Sequence, residues 1–346
     1  MSAAAHVTLE SKIAFLRQPG SFADCSGRIE AIETHMSWVF LTDAHAYKLK
    51  KPVRQDLFDF RSLDARRHYC EEELRLNRRL AAEVYVELVP LSIDALGHLR
   101  LGGHGIVVDW LVKMLRLPRR HMLDYALGHG GAAPADIARV AARLAAFYRA
   151  CTPVRLDPAA YRARFRRAIA LNLRMLSRPV YRLPAARVTA LCRAQHALLD
   201  ARRDWFDRRA RTGKIVEGHG DLRPEHVSLG PPVSIIDCLE FSRALRLVDP
   251  VDELGFLALE CERLHAPDLG ALLLRTYGDL TGDLPGAALV HFYQGFRAAT
   301  RARIAIRHLD EEQFRHSPEW YRRACQYLCL AQAHQASVSS DIEPPP

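Results

Sequence analysis

Between residues 219 and 237 the chain carries His219-Gly220-Asp221, His226 and Asp237 around two β-prone runs, Val227-Ser228-Leu229 and Val233-Ser234-Ile235-Ile236. Gly230-Pro231-Pro232 divides those runs and predicts a hairpin. A hairpin folds its two ends together, so Asp221, His226 and Asp237 are expected to converge. Two carboxylates meeting beside a glycine suit a metal–phosphate site: one binds Mg²⁺ and the other takes a proton from a nucleophile. Asp and His also cap turns, and His-Gly-Asp alone fits that plainer role equally well.

Residues further upstream favour the chemical reading. In Ala46-x-Lys48 a small residue and a lysine share one strand face, which suits a lysine reaching phosphates beneath a base. Lys50 points to the same face and is the second candidate for that role, whereas Lys51 points to the other. In the helix expected over about residues 62–80, Tyr69, Leu76 and Leu80 lie at i−4, i+3 and i+7 from Glu73. Glu73 therefore falls on the inward stripe, where an unpaired carboxylate would be costly, and a strand lysine is its natural counter-ion. The alternative is an exposed Glu73 on an Arg-rich helix. Glu71 and Glu72 fit that alternative better, with Arg75 at i+4 and i+3.

These residues require a small sheet and a helical body to hold them. Val39–Thr42 and Ala46–Lys50 read as a hairpin around Asp43-Ala44-His45, and Pro52 ends its second strand. Residues 84–93 and 105–111 read as further strands. From about Leu115 the pattern is helical, over 135–151, 159–176, 185–209 and from about 251 to 335, broken only between 214 and 250.

Composition narrows the function classes. The chain has 346 residues, 49% apolar and 26% charged, which excludes a disordered chain and allows a large core. No apolar run approaches ~18 residues and the N-terminus has no signal-peptide pattern, so neither membrane nor export is expected, and a cytoplasmic location is. Eight cysteines without a C-x-x-C pair point to buried free thiols, and structural zinc is not expected. The net charge of +9 comes from 49 basic residues, only six of them Lys. The Arg-rich runs at 162–167 and 202–211 lack aromatic interleaving, so they read as solvated faces and no nucleic-acid partner is expected.

In order along the chain, Lys48, Glu73, His219-x-Asp221, residue 226 and Asp237 resemble the protein-kinase-like fold in its aminoglycoside phosphotransferase branch. More closely, the chain resembles an uncharacterised aminoglycoside-phosphotransferase-like subgroup. The matching stretches are Ile32–Leu41, Ala46–Val53, Tyr69–Leu80, His219–Leu222, Ile236–Phe241 and Asp249–Leu257. The resemblance implies an α+β, two-lobed fold: a small N-lobe with an antiparallel sheet and one helix (1–109), a hinge (110–114), a large mainly helical C-lobe with the catalytic hairpin (115–335), and a tail (336–346). It implies ATP and Mg²⁺ as cofactors and transfer of the γ-phosphoryl to a hydroxyl of a small molecule.

Residue by residue, Thr34 to Ser37 would cover the nucleotide phosphates. Lys48, with Lys50 second, would hold phosphate and pair with Glu73. Trp110 to Met114, including Val112, would offer backbone groups to adenine. Asp221 would be the base, Asp237 the Mg²⁺ ligand with Glu240 as helper, and Asp252 would fix the catalytic loop. The chain departs from the family pattern in one place: the metal-binding Asn expected five residues after Asp221 is His226. An imidazole suits softer ions than Mg²⁺. His226 therefore binds such an ion, hydrogen-bonds to Asp221 or Asp237, or marks lost catalysis, in which case the chain is a nucleotide-binding pseudoenzyme acting as sensor or scaffold. A polycationic acceptor sits poorly with a net charge of +9, although Asp237–Glu262 carries seven acids against two Arg. Arg297, Arg301 and Arg303 in the late helices either meet an anionic acceptor or sit on a solvated face.

Overall fold

The period-2 runs of the first 115 residues form one six-stranded antiparallel sheet. Its strands are β1 (Glu30–Glu33), β2 (Ser37–Leu41), β3 (His45–Lys50), β6 (Tyr85–Ile93), β7 (Leu99–Leu101) and β8 (Ile106–Leu115), in the order β1-β2-β3-β8-β6-β7. Two two-residue strands, β4 (Arg54–Gln55) and β5 (Phe58–Asp59), make a separate ribbon. The hairpin expected around Asp43 forms as β2–β3, closed by Thr42, whose Oγ1 accepts the His45 N–H at 3.0 Å. One face of the sheet buries Trp38, Phe40, Tyr47, Leu49, Leu91 and Leu111 against α1 (Leu9–Leu16), a helix without a counterpart in the sequence reading. The other face, carrying Ala46, Val112 and Met114, packs against Cys70 and Leu74 of α2 (Leu63–Ala81).

The structure, a computed structural model, describes residues 7–342. It divides into two units: one runs to Met122 and includes His226–Leu245, and the other comprises Leu123–Glu225 and the chain from Arg246 onward. The sheet unit thus extends past residue 109 and regains the segment that contains the embedded hairpin, β10 (Val227–Ser228) with β11 (Ser234–Ile235).

The second unit is helical: α3 (Leu123–Gly128), α4 (Pro134–Ala150), α5 (Pro158–Leu176), α6 (Ala185–Ala201), α7 (Arg203–Arg211), α9 (Pro250–Arg263), α10 (Pro267–Thr281), α11 (Ala287–Arg307) and α12 (Pro318–Ile342). The short α8 (Arg243–Arg246) leads into β12 (Leu247–Val248), which pairs with β9 (Val216–Glu217). The helix expected over 185–209 is two helices, because Arg202 leaves helical geometry at φ −117°, ψ 45°. The core gathers Phe165, Phe206, Phe292 and Phe296 in edge and tilted ring contacts. α12 continues through Ile342, so no tail begins at 336, and residues 343–346 lie outside the described ones. Among the described residues no helix is long and apolar enough to cross a membrane.

Candidate active site

Strand periodicity places Ala46, Lys48 and Lys50 on the sheet face that meets α2. Glu73 on α2 is fully buried, as its stripe predicts, and it receives both lysines: Lys48 Nζ lies 2.8 Å from Oε1 and Lys50 Nζ 2.6 Å from Oε2. Each lysine has a second carboxylate, Asp237 Oδ1 at 2.7 Å for Lys48 and Glu240 Oε1 at 2.5 Å for Lys50. Burial works against the charge on both ammonium groups, but the carboxylates outweigh it and hold both above the ordinary lysine range. Burial likewise pushes Glu73 up, and Lys48 and Lys50 overcome it, keeping the carboxyl below its usual range. The two lysines differ in access: the Lys50 side chain is 1% exposed and that of Lys48 15%. Lys48 is the one open to a ligand, and Lys50 is an internal cation. Glu240, expected beside a metal, serves Lys50 instead.

Asp237 follows β11 with φ +63°, the left-handed region that non-glycine residues enter at a cost of about 1–2 kcal/mol. Two groups hold it there. The Asp237 N–H donates to Tyr85 Oη at 3.1 Å, and the Cys238 N–H donates to Asn77 Oδ1 at 2.8 Å. Asn77 is itself oriented by donating to the Glu73 carbonyl one turn back. Backbone strain of this kind persists where the surroundings over-determine it, often at functional positions. Here it aims a carboxylate, 46% exposed, at Lys48. His226 is buried, with Nε2 3.5 Å from Asp237 Oδ2.

Other expected positions fall differently. Thr34 closes the β1–β2 turn, its Oγ1 accepting the Ser37 N–H and donating to the Ser37 carbonyl, both at 2.9 Å. Ser37 is buried. Trp110 to Met114 are no hinge. They lie inside β8 between β3 and β6, with Val112 opposite both Lys48 and Leu88, so their backbone groups belong to the sheet ladders. The Arg116 N–H still bonds the Ala44 carbonyl, so the chain leaves the sheet after that residue.

Asp221 belongs to the second unit, where the loop directly after β9 is fixed by one carboxylate. Glu253 Oε1 accepts the Gly220 N–H at 2.6 Å, both its oxygens face the His219 N–H at 3.0–3.1 Å, and Oε2 accepts the Tyr148 hydroxyl at 2.7 Å. Gly218 permits this approach, since a Cβ there would stand 2.6 Å from Glu253 Oε2. Gly220 turns the loop at φ +91°. The loop-fixing residue is thus Glu253 and not Asp252, whose carboxylate takes a bidentate pair from Arg297 at 2.7 Å. Asp221 Oδ2 accepts from Arg223 Nε at 2.9 Å, and Arg301 Nη1 stands 4.0 Å from Oδ1. Glu253→Gln is expected to cost about 2–3 kcal/mol in chemical denaturation, because charge-assisted bonds to buried N–H groups are lost. Asp252→Asn, which keeps an acceptor for Arg297, should cost less. Equal losses in the two variants would contradict the distinction.

No family model matches the chain. Among solved structures it is similar to a choline/ethanolamine kinase family protein from Mesorhizobium loti, with TM-score 0.57 and 16% identity over 96% of this chain and 98% of that one. It is similar to a choline kinase from Cryptosporidium parvum, with TM-score 0.55 and 10% identity over 95% of each chain. An aminoglycoside phosphotransferase from Alicyclobacillus acidocaldarius matches with TM-score 0.50 and 12% identity over 97% of this chain and 96% of that one. The chain therefore has a protein-kinase-like fold, α+β, with an antiparallel sheet unit and a helical unit. Its curated relatives in Mycobacterium tuberculosis and Mycobacterium bovis are uncharacterised proteins, 31% identical over 316 residues. The match takes in 88% of this chain and 59% of each relative.

Proposed function

We propose that the chain is an ATP-dependent, cytoplasmic phosphotransferase that moves the γ-phosphoryl group to a hydroxyl of a small molecule. The observation that carries this reading is the chain of charges Glu73–Lys48–Asp237, buried at its Glu73 end, in which a partly exposed lysine is clamped between two carboxylates, one on a strained backbone. In this reading Lys48 binds the nucleotide phosphates and Glu73 holds its ammonium in place. Asp221 accepts the acceptor's proton. The oxygen–phosphorus bond to the acceptor forms as the bond from the γ-phosphorus to the bridging oxygen breaks, and ADP leaves with that electron pair. Lys48 is the group on the sheet unit that would answer the charge developing on the phosphates.

The donor set fits Mg²⁺ in part. Asp237 offers a half-exposed carboxylate, and Mg²⁺ commonly takes one or two carboxylates together with substrate phosphates. When bound, the ion would neutralise phosphate charge. The imidazole of His226 does not suit a hard cation, and its place 3.5 Å from Asp237 Oδ2 suits a positioning contact. His226→Asn is therefore expected to leave Mg²⁺-supported turnover equal or lower. A clear rise, or a shift of metal preference from Mn²⁺ towards Mg²⁺, would identify residue 226 as a damaged metal ligand.

The direct test measures ATP binding beside ATP hydrolysis with Mg²⁺ and with Mn²⁺. Binding with turnover supports the phosphotransferase. Binding without turnover supports the second reading, a nucleotide-binding pseudoenzyme, which His226 at the Asn position favours. Absence of binding would overturn both.

A further inference from the structure

Helix α11 passes the Asp221 loop with two arginines one turn apart, and their partners differ. Arg297 is committed to Asp252 through two 2.7 Å hydrogen bonds. Arg301 is not so engaged. Its side chain is 18% exposed, its guanidinium carbon lies 5.9 Å from the ring centres of both Phe256 and Tyr327, and its nearest carboxylate oxygen is Asp221 Oδ1 at 4.0 Å. That separation is an ion-pair distance and not a hydrogen bond. Its Nε is buried and has no hydrogen-bond partner among the described residues. Other carboxylates on this side are taken: Glu260 receives the Tyr327 hydroxyl at 2.6 Å and Arg263 Nε at 2.7 Å.

A buried guanidinium N–H without a partner is an unfavourable arrangement that calls for an explanation. Arginine offers a planar fork that matches carboxylate and phosphate bidentately. The two rings hold this fork beside the carboxylate that the proposed reaction uses as base, and Arg223 adds a second guanidinium on the far oxygen of that carboxylate. A hydroxyl bound at Asp221 would carry its neighbouring substituent, one or two carbons away, towards Arg301. A positively charged substituent would face the Arg301 guanidinium there, Arg223 being already paired with both Asp221 and Glu225, and a neutral one would leave the Arg301 fork unanswered.

We propose that Arg301 receives an anionic group of the acceptor, so that the substrate is an acidic hydroxy compound bearing a carboxylate or a phosphate close to the hydroxyl that is phosphorylated. This rests on the reading of Asp221 as the base in the proposed phosphotransferase. It makes Arg301 a specificity-determining residue and disfavours an amino alcohol as acceptor.

The test is calorimetric titration of the 346-residue chain, without nucleotide, using four probes of similar size: glycerate, glycerol 3-phosphate, glycerol and ethanolamine. Glycerate, glycerol 3-phosphate or both should bind, while glycerol and ethanolamine should not, and the stronger acid identifies the group as carboxylate or phosphate. Arg301→Gln should weaken acid binding by about 10- to 100-fold, the loss of charge-assisted hydrogen bonds. Arg301→Lys, which keeps the charge and loses the fork, should fall between, and it guards against a Gln variant that fails to fold. Arg307→Gln, an exposed arginine at the end of the same helix, should bind as wild type. Binding of ethanolamine or glycerol as tight as that of the acids would overturn the proposal. So would acid binding indifferent to Arg301, or no binding of either acid. ATP hydrolysis measured on the same samples keeps the two questions apart: its absence would count against the phosphotransferase reading, while acid binding at Arg301 is read from the titration alone.

Discussion

Asp221→Asn is expected to lower acceptor phosphorylation by about 10²- to 10⁴-fold, the range a positioned general base supplies, while ATP binding is unchanged. The loop holding Asp221 is fixed through backbone N–H groups on Glu253 and not through the Asp221 side chain, so the variant should keep the loop in place. An Asn retains an oxygen for the Arg223 Nε–H and loses the ability to take a proton at neutral pH. Asp237→Asn should behave in the opposite way. It removes the negative charge at 2.7 Å from Lys48 and the carboxylate that a divalent cation would use, so metal-dependent nucleotide binding should weaken. Nucleotide titrations and single-turnover phosphorylation on both variants decide the matter. If Asp221→Asn lost nucleotide and Asp237→Asn lost only turnover, the two roles would be exchanged.

How far such roles can be read from sequence depends on whether local periodicity reports them. Glu73 was legible because a 3.6-residue period assigns its face independently of anything distant, and burial of a carboxylate then demands a cation. The same period puts Asn77 one turn further on that face, yet its purpose depends on the left-handed turn at Asp237, which no nearby residue type announces. Tyr85 is hidden for the same reason. In Asp252-Glu253 both residues lie in the first turn of α9, and only the close approach allowed by Gly218 shows which one meets the loop. The hinge at 110–114 was implied by the family resemblance alone; the strand expected over 105–111 continues through those residues as β8, a central strand covered on both faces and so without the alternation that marks a half-buried one. The hairpin at 227–235 was legible from its turn residues. Its flanks belong to different units, Asp221 to the helical one and His226 with Asp237 to the sheet unit, which sequence spacing does not reveal.

The paired lysines give the sharpest separation between binding and stability. Lys50 is 1% exposed and sits between Glu73 and Glu240, both buried. Lys50→Ala removes the ammonium shared by two carboxylates in a place water does not reach, and breaking a buried pair in this way typically costs about 3–5 kcal/mol. Chemical denaturation should show that loss. Lys48→Ala leaves Glu73 with Lys50 at 2.6 Å, and its other partner, Asp237, is half exposed and can be solvated. Its cost in stability should be smaller, whereas ATP affinity should fall by about 10- to 100-fold, since the lost contact is a charge-assisted bond to phosphate. Lys51→Ala should do neither to a comparable degree: Lys51 points to the opposite strand face and pairs with Glu33, itself more than half exposed. Equal ATP affinity in the Lys48 and Lys51 variants would remove Lys48 from the nucleotide site. A folded Lys50→Ala protein that had lost only nucleotide binding would transfer the role to Lys50, and the buried position of its ammonium would then have to open when ATP binds.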